Sequence, residues 1–164
     1  MGNTVNAENL IEKLSEVWRK QGPTSKVAFI CVGSDMSTGD SFGPIVGTLL
    51  SEAGYKYVTG TLEQPCDSSN LLERLKELPA ETSILAIDSC VGVSVGCFQV
   101  NGQPLAPGKF MGKPLPHVGL ASLLAVVCRN TENPYRALQT ASLHRVMTMA
   151  KQTAAAIMKV LPLD

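Results

Sequence analysis

Three short, nearly continuous apolar runs, at residues 26–32, 83–87 and 122–128, constrain the fold of this chain more than any other feature. Runs of that length without polar alternation predict strands covered on both faces, the kind found in parallel sheets. Between and around them the apolar spacing changes to that of helices. Leu10, Ile11, Leu14, Val17 and Trp18 recur at helical spacing up to Gly22-Pro23, and Ile45, Val46, Leu49 and Leu50 repeat the pattern after Pro44. Residues 57–62 read as a further strand and 68–78 as a further helix, with Leu71, Leu72 and Leu75 inward. Strand and helix alternating in this way predict an α/β fold, a parallel sheet layered by helices.

The rest of the chain is less regular. Residues 94–100 alternate and meet the turn dipeptide Asn101-Gly102, which predicts a hairpin or edge strand. Residues 103–119 hold Pro104, Pro107, Pro114 and Pro116 with three glycines, a long loop of the kind that carries function in compact domains. From Pro134 onward one long helix is expected, with Leu138, Ala141, Leu143, Val146, Met147, Ala150, Ala154, Ile157 and Met158 on a broad face.

Composition narrows the function classes. At 164 residues, one domain spanning 1–164 is expected. Hydrophobic residues make up 45% and charged residues 17%, which excludes a disordered polyelectrolyte. Fourteen basic residues balance fourteen acidic ones, so no net field draws the chain to nucleic acid or an anionic membrane. No apolar run reaches the roughly 18 residues of a membrane span, and polar Asn3, Asn6 and Asn9 stand where a signal peptide needs an apolar stretch, so a cytoplasmic protein is expected. Five cysteines, Cys31, Cys66, Cys90, Cys97 and Cys128, form no C-x-x-C pair and are read as reduced core residues.

Two aspartates carry the chemical interest. Asp40 lies in the polar loop after the first buried strand, and Asp88 closes the run Ile84-Leu-Ala-Ile. In an open α/β sheet the carboxyl ends of parallel strands line one crevice, so acids 48 positions apart in sequence (88 − 40) can converge there. An Asp near a helix start ordinarily caps it. If Pro44 is the first helical residue, however, Gly43 takes the cap position and Asp40 is left facing the crevice. Asp88 ends a buried strand, where a carboxylate is costly unless paired, hydrogen-bonded or serving a site. Two close carboxylates would push one pKa up, giving one acid and one water-activating base, or they would grip a divalent cation. His117, in the Pro-rich loop, is the imidazole that could complete a metal set or proton relay, whereas His144 reads as a packed or rim residue of the last helix. Cys90 stands two residues past Asp88 but has no Cys/His arrangement beside it, and no serine-hydrolase elbow or nucleotide-binding loop occurs.

An ordered set of motifs then carries a family resemblance. Val32-Gly-Ser-Asp-Met-Ser-Thr-Gly-Asp-Ser-Phe-Gly-Pro-Ile-Val-Gly47, Gly60-Thr-Leu62, Ala86-Ile-Asp-Ser-Cys90, Pro107-Gly108 with Lys113-Pro-Leu-Pro116, Leu138-Gln-Thr140 and Leu143-His-Arg-Val-Met147 follow one another over residues 26–157. Together they resemble the YyaC-type sporulation protein family, which is spore protease-like. That family is similar to the germination protease of spore-forming bacteria and, more distantly, to hydrogenase-maturation endopeptidases.

The resemblance implies a three-layer αβα sandwich of phosphorylase/hydrolase type with a mixed, mostly parallel sheet. It implies an endopeptidase of the sporulation or germination programme acting on protein or peptide substrates such as small acid-soluble spore proteins. Asp40 in Thr38-Gly-Asp-Ser-Phe-Gly-Pro44 and Asp88 in Ala86-Ile-Asp-Ser89 match the two aspartates implicated in the germination protease, with no cofactor expected. By the same resemblance His117 falls where the maturation enzymes place a metal-binding histidine. The alternative it implies is recognition of a divalent metal, nickel or zinc, by His117 with Asp40 and Asp88. The chain departs from its sporulation relatives after Val118-Gly119, where Leu120 replaces their usual Asp. A third reading keeps the scaffold as a sporulation binding protein that cuts nothing.

Overall fold

The structure is a computed structural model that describes residues 3–106 and 115–163. Its centre is one six-stranded mixed sheet built from β1 (Thr4–Val5), β2 (Val27–Cys31), β3 (Val58–Thr59), β4 (Ser83–Val91), β5 (Phe98–Asn101) and β6 (Ala121–Cys128), in the order β1-β5-β6-β4-β2-β3. The β6-β4-β2-β3 part is parallel, and β5 and β1 add antiparallel strands at the other side. The helices are α1 (Leu10–Lys20), α2 (Phe42–Glu52), α3 (Leu71–Lys76), α4 (Pro134–Gln139) and α5 (Leu143–Val160). The layered, mostly parallel sheet expected from the apolar runs is the observed one. Among the described residues no helix is long and apolar enough to cross a membrane.

Alternation along the strands separates two cores. Phe29, Cys31, Leu85, Ile87, Leu123 and Ala125 point into a large cluster with the apolar stripes of α1, α2 and α5. Ile30, Val32 and Ala86 point the opposite way into a smaller cluster closed by Leu71 of α3 and by Leu105 and Val118. Each buried Leu, Ile or Phe stabilises the fold by about 1.5–3 kcal/mol, so the larger cluster dominates.

Several expectations change at the element ends. The predicted strand at 57–62 shortens to β3, and of its partner helix Leu71 is buried while Leu72 is exposed. The alternating run at 94–100 becomes β5, which lies one strand in from the edge because Thr4 and Val5 pair with Gln99 and Phe98. The long C-terminal helix is two helices. Ser142 accepts a hydrogen bond from the Arg145 backbone N–H at 3.2 Å and starts α5 afresh, a capping signal stronger than the apolar spacing that runs through Ala141. Pro107-Gly108 and Lys113-Pro114 of the motif series lie outside the described residues.

Candidate active site

The crevice forms where the sheet connections diverge. From β2 the chain passes through α2 to β3 on one side, whereas β4 continues toward β5 and β6 on the other, so the carboxyl ends of β2 and β4 flank a topological switch point. Val32 N–H donates to the Ile87 carbonyl at 2.8 Å, and the chain then turns away at Gly33. From Asp88 onward β4 is paired only with β6, Asp88 lying opposite Leu124. Asp88 therefore does not close its strand. It sits inside β4, at the residue where β4 loses its β2 neighbour, because β6 holds the continuation as far as Val91.

Asp40 also moves from its expected setting. Helix α2 starts at Phe42, with Ser41 at the cap position, and Asp40 lies in a single 3-10 turn, Gly39–Ser41, ahead of it. Pro44 is thus the third helical residue, where its missing N–H is still without consequence because first-turn N–H groups have no helical acceptor. The loop is tightly held. Ser34 N–H donates to the Asp40 carbonyl at 3.0 Å, Gly33 N–H donates to the Cys66 carbonyl at 2.9 Å, and a Cβ at Gly33 would collide with the Asp40 backbone carbonyl. A Cβ at Gly43 would likewise strike the Val32 carbonyl. These two glycines let the start of α2 press against the end of β2, which brings Asp40 over the crevice.

Both aspartates line one cavity of about 580 Å³, together with Asp67, Ser89, Cys90 and Tyr135. Burial pushes the Asp88 carboxyl up to about 8. The backbone N–H of Ser89, which donates to Asp88 Oδ1 at 2.7 Å, acts against the shift, and the charge of Asp40 adds to it. Asp88 is half-buried and lines the cavity, and the protein packed around the carboxyl governs its proton affinity. At neutral pH Asp88 is mostly protonated. Among the described residues no ion pair involves Asp40, Asp67 or Asp88, and no lysine, arginine or histidine lines the cavity. Among the described residues the buried side-chain oxygens without a hydrogen-bond partner are Ser37 Oγ and Ser89 Oγ, on the loop and in the cavity.

Asp67 escapes the sequence reading. It follows β3 as Asp40 follows β2, and its Oδ1 accepts from the Ser69 N–H at 2.8 Å and from Ser69 Oγ at 2.5 Å ahead of α3. The signal was the carboxyl-end rule itself, applied to one more strand.

His117 is exposed and is not among the residues lining the cavity, and His144 is exposed on α5. Among the described residues no group of three or more His, Cys, Asp or Glu is placed to hold a metal ion. Asp40 and Asp88 are brought together, then, and His117 is not brought to them, so the donors present do not fit a shared nickel or zinc. All five cysteines are free. Cys90 does line the cavity, but burial first, then Asp88 and Cys128, pushes its thiol up to about 12, which leaves it almost no thiolate.

A family model described as "Protein of unknown function (DUF1256)" matches residues 1–156. The "Uncharacterized protein YyaC" of Bacillus subtilis (strain 168) is 36% identical over 135 residues, covering 78% of this chain and 66% of that protein, slightly less than two thirds of its length. The solved structure of the NiFe hydrogenase maturation protease HycI from Thermococcus kodakarensis KOD1 is similar with a TM-score of 0.48 at 17% identity, covering 88% of this chain and 97% of that one.

Proposed function

The chain belongs to the DUF1256 family, and on that premise we propose that it is an endopeptidase in which Asp88 is the acid and Asp40 the base. The observation that carries the reading is the shared cavity in which Asp88 holds its proton up to about 8, with the charge of Asp40 among the causes. A carboxyl group that burial keeps protonated, set beside a second carboxyl group in one cavity, supplies the acid and base that hydrolysis needs.

In the proposed reaction Asp40 takes a proton from water as the water oxygen attacks the peptide carbonyl carbon. Asp88 gives its proton to the leaving amine nitrogen as the C–N bond breaks. The protons then exchange with solvent and restore the pair. The half-enclosed cavity, floored by Leu105 and Leu124, limits competing water and strengthens both interactions. The sporulation setting and small acid-soluble spore proteins as substrates rest on the motif resemblance around these two aspartates.

The test is incubation of purified protein with small acid-soluble spore proteins, followed by mass spectrometry of the fragments. Wild-type protein should cleave, and Asp40→Asn and Asp88→Asn should each lose at least about 100-fold in rate while keeping the wild-type circular dichroism spectrum. Full activity in both variants would overturn the assignment. Stable complexes with no cleavage by any form would favour the binding-protein reading instead.

A further inference from the structure

The loop that carries Asp40 walls a second concavity on its other side. Residues 35–38 and Ser41 of the loop, the outer face of α2 and the start of α5 enclose a groove of about 540 Å³. Its apolar surface is unusually open, with Met36 86% exposed, Leu143 60% and Leu62 39%. Large apolar side chains gathered at one concave place, with polar residues around them, mark a binding surface rather than scattered exposure. Asp35 and Glu52 are among its lining, and no basic residue among the described residues lines it.

The groove and the cavity share more than the loop. Leu138 lines the cavity and its neighbour Gln139 lines the groove, so helix α4 borders both. Among the described residues the charged side chains lining both concavities are acids: Asp40, Asp67 and Asp88 in one, Asp35 and Glu52 in the other. None of the five has an ion-pair partner among the described residues. The chain as a whole has a formal charge of zero, so this one-signed surface is local to the two concavities. Clefts lined by one sign of charge concentrate ligands of the other sign.

We propose that the groove is a second substrate subsite, which takes an apolar side chain of the peptide flanked by a lysine or arginine that faces Asp35 and Glu52. The identity of the occupant rests on the endopeptidase reading, since the same peptide then continues past the loop into the Asp40 and Asp88 cavity. Its apolar residue covers Met36, Leu62 and Leu143, and its cationic neighbour supplies the counter-charge that the rim lacks.

Fluorescence anisotropy on the full chain carrying Asp88→Asn tests this without relying on cleavage. The probes are a labelled ten-residue peptide with one leucine between two lysines, and its counterpart with glutamates in place of the lysines. The lysine peptide should bind, and Leu143→Glu or Met36→Glu should each weaken it at least tenfold, with Glu52→Gln weakening it about threefold. Both apolar side chains are exposed, so the variants should keep the parent's melting temperature. Equal binding of the glutamate peptide, or unchanged binding in both groove variants, would overturn the proposal. So would sedimentation showing a dimer that Leu143→Glu dissociates, because a second copy would then occupy the groove. Groove-dependent binding together with absence of cleavage in the wild type would retire the acid/base reading alone and leave the subsite standing.

Discussion

Asp88 and Asp40 reach the same cavity from opposite kinds of structure. Asp88 belongs to a strand and is fixed by the β6 ladder, whereas Asp40 belongs to a short turn held by close glycine contacts; both side chains are half-buried and line the cavity. The strand setting supplies the desolvation that raises the Asp88 carboxyl, and the half-buried Asp40 of the loop adds its charge to that rise. An acid and a base can therefore be made from the same residue type by backbone setting alone.

The comparison breaks first if side-chain length is changed. Asp88→Glu adds a methylene in a packed strand and should cost at least 100-fold in cleavage rate along with about 1–3 kcal/mol of stability, read from initial rates and urea melts. Asp40→Glu, in the turn ahead of α2 and not in a strand ladder, should keep at least a tenth of the wild-type rate. Equal losses in the two variants would mean the settings do not differ as described. Next in size is Gly33→Ala, which leaves both carboxyls in place but must push the Asp40 backbone away. About a tenfold fall in rate with about 1–3 kcal/mol lost is expected, again from rates and urea melts.

The pH dependence of stability sharpens the same contrast. The Asp88 carboxyl is raised in the folded state, so its contribution to stability is whole below the unfolded value near 4 and is lost as pH climbs through about 8. Asp88→Asn removes that penalty. The variant should gain on the wild type between pH 5 and pH 9, by up to about 4 kcal/mol at the upper end, measured by urea unfolding at both values. The smallest effect should come from Cys90→Ser. Because that thiol is pushed up to about 12, the substitution should leave the cleavage rate within about twofold.

What the sequence made legible follows from where local pattern and tertiary structure agree. The apolar runs of β2, β4 and β6 are covered on both faces, so their composition alone predicts strands and a parallel sheet. Asp40 and Asp88 follow from the rule that loops at the carboxyl ends of such strands meet. The extent of β4 past Ile87 was not legible, since Asp88, Ser89 and Cys90 are held there by β6, which lies more than thirty positions away. The pairing of Thr4–Val5 with β5 is non-local in the same way. Asp67 drew no reading from the sequence; it is a turn residue that accepts from Ser69, and only the fold places it beside the other two acids. His117 had the right chemistry for a metal set, but proximity in a motif series does not bring a loop side chain to a cavity.

The titration of the Asp88 carboxyl, followed by carbon-13 NMR in the wild type and in Asp40→Asn, tests the acid and base assignment most directly. The wild type should titrate near 8, and the variant should titrate lower by less than about one unit, since burial is the larger cause and Asp40 the smaller. A wild-type midpoint near 4, the ordinary carboxylate range, would mean that Asp88 holds no proton at neutral pH and that the pair cannot divide the work as described.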